Sequence, residues 1–137
     1  MITVACATDD KNSFSSGHFG EAGFYMIFNV DGNNIEYIET IENVTLDYQE
    51  TIKEHGDPMK AKHVMILLKE KNVQVLASKK FGPNIARIKI RFLPVIMDAD
   101  SIQKGLELIR ENHDRIYHEY SKGSDRKHLR IEHGAVN

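Results

Sequence analysis

Phe24-Tyr25-Met26-Ile27-Phe28-Asn29-Val30-Asp31-Gly32-Asn33-Asn34-Ile35-Glu36-Tyr37-Ile38-Glu39-Thr40-Ile41-Glu42 decides how the chain is laid out. Phe24, Met26, Phe28 and Val30 alternate with Tyr25, Ile27 and Asn29, which is the period of a strand and not of a helix. Asp31-Gly32-Asn33-Asn34 interrupts that pattern with residues that tolerate positive φ, and Ile35 to Glu42 resumes it. The two runs therefore pair as an antiparallel hairpin. Upstream, Ile2 to Thr8 is short, nearly all apolar and rich in small and β-branched residues. Such a run predicts a strand covered on both faces and central to its sheet.

Downstream of the hairpin, Asp57-Pro58 supplies an N-cap and a proline at the first helical position. Ala61, Val64, Met65 and Leu68 follow at helical spacing, with Lys60, Lys62, Lys69, Glu70 and Lys71 on other faces. Val73 to Ala77 reads as a fourth strand. After Gly82-Pro83 two readings stand: Ile88, Ile90 and Phe92 alternate like a strand, while Ile85, Ile88 and Phe92 fit a helical stripe. Leu93 to Met97 reads as a fifth strand, which Pro94 confines to a sheet edge or a strand start. Asp100 can cap one long helix, with Gln103 completing a capping box and Ile102, Leu106, Ile109, Ile116 and Tyr120 as its core stripe. From Ser121 the chain is polar and is expected to be a mobile tail. Right-handed crossovers place the later strands parallel to the first. The expected architecture is α/β, a mixed five-stranded sheet with helices on its faces, as one domain over residues 1–120 with a tail over 121–137.

At 137 residues, 41% apolar and 28% charged, the chain can bury roughly two thirds of its unfolded surface without covalent staples. The single cysteine, Cys6, excludes an intrachain disulfide and any multi-cysteine metal site built by this chain alone. No apolar run approaches the roughly 20 residues of a membrane span. The opening residues lack the basic start of a secretory signal, so a reducing cytoplasm is the expected setting. The net charge of -2 conceals a split: residues 1–58 carry 11 acids and 2 bases, and residues 59–137 carry 9 acids and 16 bases. Lys71, Lys79, Lys80, Arg87, Lys89 and Arg91 all precede Met97 with no acid among them. Such asymmetry points to an anionic ligand, a nucleic acid or complementary faces, or it disappears as the charges intermix on folding.

The segment from Asp9 to Gly23 is too long and glycine-rich for a minimal hairpin. Glycines let backbone approach a ligand, and consecutive amides can form an anion nest to which His18 adds an imidazole. A solvated loop histidine is the plainer reading of His18, and Phe19 is expected to plug into the core.

Within that segment, Ser16-Gly17-His18-Phe19-Gly20-Glu21-Ala22 resembles the S-x-H-F-G-x-A signature of the dinitrogenase iron–molybdenum cofactor biosynthesis family, of the NifX, NafY and NifB C-terminal-domain type. The strand ending Thr8-Asp9-Asp10, the His55-Gly56 pair, the run from Leu67 to Leu76 and Gly82 fall in step with it, over about residues 1–110. The resemblance implies a ribonuclease H-like three-layer fold with sheet order 3-2-1-4-5 and a helix over roughly Pro83 to Arg91. It implies a non-enzymatic binding or carrier protein for an anionic metal–sulfur cluster, iron–molybdenum cofactor or a related cluster or precursor, with cluster-assembly proteins as candidate partners. By the same resemblance His18 is the metal-contacting residue, Ser16, Gly17, Phe19 and Gly20 shape the loop, His55 is a second contact and Gly82 follows strand four. Two departures stand out. Glu21 replaces what is commonly a basic residue, and Lys79-Lys80 replaces a frequent Gly-Gly. Those lysines fall at the carboxyl end of strand four, where open α/β sheets bind ligands, and can supply positive charge.

The same topology brings Asp9, Asp10 and Asp98 to one sheet edge with Asp100 nearby, the raw material of a divalent-metal phosphohydrolase or nuclease site. Turn and capping chemistry is the plainer account of these acids, and none lies in mid-strand. A protein-interaction module is the third class considered. Cys6 reads as a small core residue. His113 and His118 do not share a helix face, and His128 and His133 belong to the tail. No P-loop, Rossmann fingerprint or Ser-His-Asp arrangement is present. Nucleic-acid binding would rest on a basic run without interleaved exposed aromatics.

Overall fold

The computed structural model describes residues 1–43 and 58–132; the His55-Gly56 pair, the Asp57 cap and His133 lie outside them. The meander forms on the expected residues as β1 (Ile2–Thr8), β2 (Phe24–Val30) and β3 (Ile35–Glu42), each antiparallel to the next. At its hairpin, Asp31 Oδ1 accepts from the N–H groups of Asn33 and Asn34 at 2.8 and 2.7 Å, an Asx turn that holds the carboxyl below the usual range. β1 is buried at every position but Thr3 and pairs on both sides, antiparallel to β2 and parallel to β4 (Val75–Ser78). β5 (Leu93–Asp98) and β6 (Leu129–Glu132) continue in parallel, giving one sheet in the order β3-β2-β1-β4-β5-β6.

Helices cover both faces. On one side α1 (Pro58–Glu70) buries Val64 and Leu68, and the short α2 (Ile85–Ile88) buries Ile88, with Ala5, Ala7, Ile27, Leu76 and Phe92. On the other, α3 (Ile102–Glu111) and α4 (His113–Tyr120) bury Leu106, Ile109 and Ile116 against Val4, Cys6, Phe28 and Val95. Burial pushes the Cys6 thiol pKa up, as for a core residue with no charge to offset its desolvation. None of the described helices is long and apolar enough to cross a membrane. The three-layer α/β arrangement and the order of the first five strands are those expected; the sixth strand is an addition.

That strand lies in the segment expected to be a mobile tail. After α4 the chain reverses through a 3-10 turn, Gly123–Asp125, where Gly123 takes φ +67°. The return is clasped by Arg126, whose Nε donates to the Tyr120 carbonyl at 3.0 Å and whose Nη1 donates to the Lys89 carbonyl at 3.1 Å. Its guanidinium also lies over the Tyr120 ring. Glu119 accepts from the Lys127 N–H at 2.9 Å and from Lys122 Nζ at 3.0 Å, and these bonds hold its carboxyl below the usual range. Because β6 covers β5, the edge alternative for Pro94 fails. The strand-start alternative holds, since the first β5–β6 pair is Val95 with Leu129.

Other local readings shift for identifiable reasons. Residues 83–91 form no strand: Ile88 and Phe92 are buried while Ile90 is 54% exposed, an outcome strand alternation does not allow. The helix there is only four residues long. The long helix breaks at Asn112, whose Nδ2 donates to the Leu108 carbonyl at 2.8 Å, yet the core stripe continues across the break. Its N-cap is Ser101, accepting from the Lys104 N–H at 3.1 Å, because Asp100 pairs with Lys79 instead. The Asp100–Gln103 capping box is therefore absent. β3 is the outermost strand among the described residues and carries Glu36, Glu39 and Glu42 and a bulge at Ile38, devices that oppose edge-to-edge pairing.

Gly105 on α3 faces the Phe14 ring, and a Cβ built there falls on the ring edge, far inside contact distance. In an unobstructed helix Gly→Ala stabilises by about 1 kcal/mol. Here Gly105→Ala is expected to destabilise by about 1–3 kcal/mol, read as a lower thermal midpoint. Arg126→Ala is expected to cost about 1–3 kcal/mol and to accelerate amide exchange in Leu129–Glu132 while β1 stays protected, measured by hydrogen exchange.

Candidate functional site

The loop between β1 and β2 begins with two carboxylates committed to the backbone. Asp10 Oδ1 accepts from the Asn12 and Ser13 N–H groups at 2.8 and 2.7 Å, and Oδ2 accepts from the Ser13 hydroxyl at 2.7 Å. These bonds, those from Ser13 foremost, hold its carboxyl far below the usual range. Lys11 within the turn has φ +66°. Asp9 joins the two ends of the loop, Oδ1 accepting from the Gly23 N–H at 2.8 Å and Oδ2 from the Ser15 hydroxyl at 2.9 Å.

The middle of the loop is pinned by Phe19. Its ring is 1% exposed, stacks on Phe81 at 5.6 Å between centroids and tilts against Tyr25 at 4.9 Å. Tyr25 donates its hydroxyl to the Phe19 carbonyl at 2.8 Å, and Asn43 Nδ2 donates to the Ala22 carbonyl at 2.8 Å. Desolvation raises the Tyr25 hydroxyl pKa, keeping it the donor this bond needs. Phe19 is thus the core plug expected of it.

Anchoring Phe19 turns its neighbour outward, and the His18 side chain is 49% exposed. The Phe19 N–H donates to the Lys80 carbonyl at 3.0 Å, and His18 and Lys80 form an isolated parallel bridge. The loop is therefore stitched to the segment leaving β4, and His18, Lys80 and Gly82 come together at the carboxyl ends of β1 and β4, where open α/β sheets present ligand sites. Gly82 packs on the imidazole: a Cβ there would come within 3.3 Å of His18 Nδ1. Glu21 Oε1 accepts from the His18 N–H at 3.2 Å and lies 3.5 Å from Nδ1. Lys80 is exposed, whereas Lys79 is drawn to Asp100, which it holds below the usual carboxylate range.

Two expectations change. No residue from Ser15 to Gly23 has positive φ, and the amides of Gly17, His18, Phe19, Glu21, Ala22 and Gly23 all donate to protein acceptors. An amide nest of the αR–αL kind is absent, so recognition at this ledge falls to side chains. The carboxylates do reach neighbouring strand ends, but Asp9 and Asp10 are bound to their loop and Asp100 to Lys79. Among the described residues no three His, Cys, Asp or Glu side chains are grouped to hold a metal ion.

Elsewhere, His113 is partly buried and stacked on Tyr117, while His118 and His128 are exposed. Residue-type reasoning overlooked Phe81 as the partner of Phe19. It also read Glu21 only as a charge, although the His18-x-x-Glu21 spacing is that of an N-cap and the third residue of a turn.

Asp10 provides a pH test of its turn role. A carboxyl whose folded-state pKa is depressed contributes stability above its unfolded value, about 3.9, and loses that contribution as pH falls through the folded one. Asp10→Asn is expected to lower the thermal midpoint at neutral pH, with the gap from the native protein narrowing below about pH 4. Equal midpoints at neutral pH would refute the role.

Compared with known protein families, residues 1–112 match the dinitrogenase iron–molybdenum cofactor family. No curated protein matches the chain. The matched residues run from β1 through α3 and include the His18 loop, Lys80 and Gly82, whereas α4 and β6 follow beyond them. With the match spanning most of its length, the chain belongs to the dinitrogenase iron–molybdenum cofactor family.

Proposed function

We propose that this protein binds and hands on an anionic metal–sulfur cluster, the iron–molybdenum cofactor or a related cluster or precursor, on the ledge formed by Ser16–Ala22, Lys80 and Gly82. The observation that carries the reading is the pairing of a half-exposed imidazole, His18, with exposed Lys80 on backbone anchored by the buried Phe19. A neutral imidazole donates one nitrogen lone pair to a metal. A single such ligand on an open ledge suits a cargo that must be released.

The flanking charge supports the reading. Lys80 makes no side-chain ion pair among the described residues, so its charge is available to attract an anion over roughly the Debye length, about 8–10 Å. Lys79 contributes less, because Asp100 offsets it. Ser16 and Gly17 border His18, and His55 is the second contact proposed from the family pattern. Cluster-assembly proteins are the proposed partners and the cytoplasm the proposed setting, with no catalytic step assigned to the chain.

Anaerobic titration with isolated iron–molybdenum cofactor, followed by metal retention on gel filtration, tests this. The native protein is expected to retain the cluster and His18→Ala to bind at least about tenfold more weakly, a loss of about 1.4 kcal/mol. Equal binding by both removes His18 from the site, and no binding by the native protein overturns the proposal.

A further inference from the structure

We infer that the chain pairs with a second copy of itself, the acidic β3 strand of each copy docking on the basic α1–α2 face of the other. What the His18 ledge binds has no bearing on this pairing.

Among the described residues, the large apolar side chains left exposed are Met1, Ile35, Tyr37, Ile38, Ile66, Ile90 and Tyr117. All but Met1 and Tyr117 fall into two groups whose flanking charges are opposite in sign. Ile35, Tyr37 and Ile38 lie on β3, the outermost strand, with Glu36 and Glu39 among them and no base in the strand. Ile66 lies on α1, three residues before exposed Lys69. Past α2 the backbone keeps turning helically, the Arg91 and Phe92 N–H groups donating to the Ile88 carbonyl at 3.1 and 3.0 Å. Ile88 and Phe92 are buried there, so Arg87, Ile90 and Arg91, three and four residues apart, share the outward side. Lys69 borders this group, its Nζ 5.9 Å from the centre of the Phe92 ring. Arg87, Arg91 and Glu36 make no ion pair among the described residues.

The glutamates of β3 repel a second β3 but complement Lys69, Arg87 and Arg91, and the exposed apolar groups within each surface then meet. The chain makes one such contact internally: Lys71, just past α1, pairs with Glu39 at 3.2 Å. The acidic strand and the basic face are therefore neighbours on one flank. A two-fold axis beside that pair brings each acidic strand onto the other copy's basic face and closes the assembly with two identical contacts. Charge sets register and encounter rate, while the desolvated apolar centre supplies affinity. Aliphatic anchors give nucleic-acid bases no ring to stack on, which favours a protein partner. Ile35 lies level with the amino end of β1 through the pairings Ile2–Val30 and Val30–Ile35. Arg91 precedes β5, which runs parallel to β4 and so to β1. The contact thus forms at the end of the sheet opposite His18, and both ledges of the pair stay open.

Sedimentation velocity of the full chain tests this. At about 100 μM, well above the Kd of a micromolar contact, the native protein is expected to run with twice the mass of one chain in about 0.1 M salt. Raising salt to about 1 M shortens the Debye length from about 10 to about 3 Å and is expected to weaken the dimer at least about tenfold. Two charge-reversed variants follow, Arg87→Glu with Arg91→Glu, and Glu36→Lys with Glu39→Lys, each expected to be monomeric in about 0.1 M salt. An equimolar mixture of the two is expected to restore the dimer, because both contacts are then complementary again. All four side chains reach solvent, and the salt series on the native protein stands whether or not a variant folds. A native monomer overturns the inference, as does a dimer indifferent to salt or one that persists in either variant. A mixture that stays monomeric also overturns it. A mass that keeps rising with concentration marks open head-to-tail association and overturns the closed pair.

Discussion

β1 pairs antiparallel with β2 on one side and parallel with β4 on the other, and the molecule is organised around that change of direction. The strand can occupy this position because almost every residue in it is small or β-branched and buried, so both sheet faces can be covered over it. The acidic meander and the basic βα half of the chain meet along it. Its parallel side places the carboxyl ends of β1 and β4 next to each other, so the segments leaving them must share one ledge. His18 and Lys80, far apart in sequence, become neighbours for this reason.

Side-chain anchoring then turns proximity into geometry. Phe19 is buried between Tyr25 and Phe81, its N–H bound to Lys80, and the residue before it has little freedom except to point outward. Burying an aromatic ring stabilises by about 1.5–3 kcal/mol, more than an exposed loop contact supplies. The Gly82 backbone packs against the His18 ring. Through Phe19 and Phe81 the candidate ledge is anchored on the face carrying α1 and α2. The apolar groove lined by Phe28, Ile35, Ile102 and Leu106 lies on the other face.

Much of this was legible in the sequence where one physical signal dominated. The period-two pattern of β2 and β3 with Asp31-Gly32 between them, and the continuous apolar run of β1, specify strands with little competition. The heptapeptide around His18 pointed to the family. Where signals competed, tertiary context decided. Residues 83–91 carry two periodicities, and only burial of Ile88 and Phe92 with Ile90 left in solvent selects the helix. Asp100 and Ser101 are both capping residues, and the reach of Lys79 takes Asp100 out of the competition. β6 is four residues long with one buried side chain, too little for a hydrophobic pattern; it is held by Arg126 and Glu119, which composition reads as solvent-exposed charge. The glycines around His18 suggested an amide cradle, yet in the folded loop most of those amides are taken by protein acceptors.

The Arg126 clasp gives the chain's last strand a part in the layer that bears the ledge. Through Nη1 it grips the Lys89 carbonyl, one residue past α2, while β6 seals the otherwise open flank of β5. The residues that match the family end at 112, short of both contacts. A fragment cut at that boundary would leave β5 as a raw apolar edge and release the turn after α2. The segment that matches the family therefore stops short of the residues that complete the described sheet.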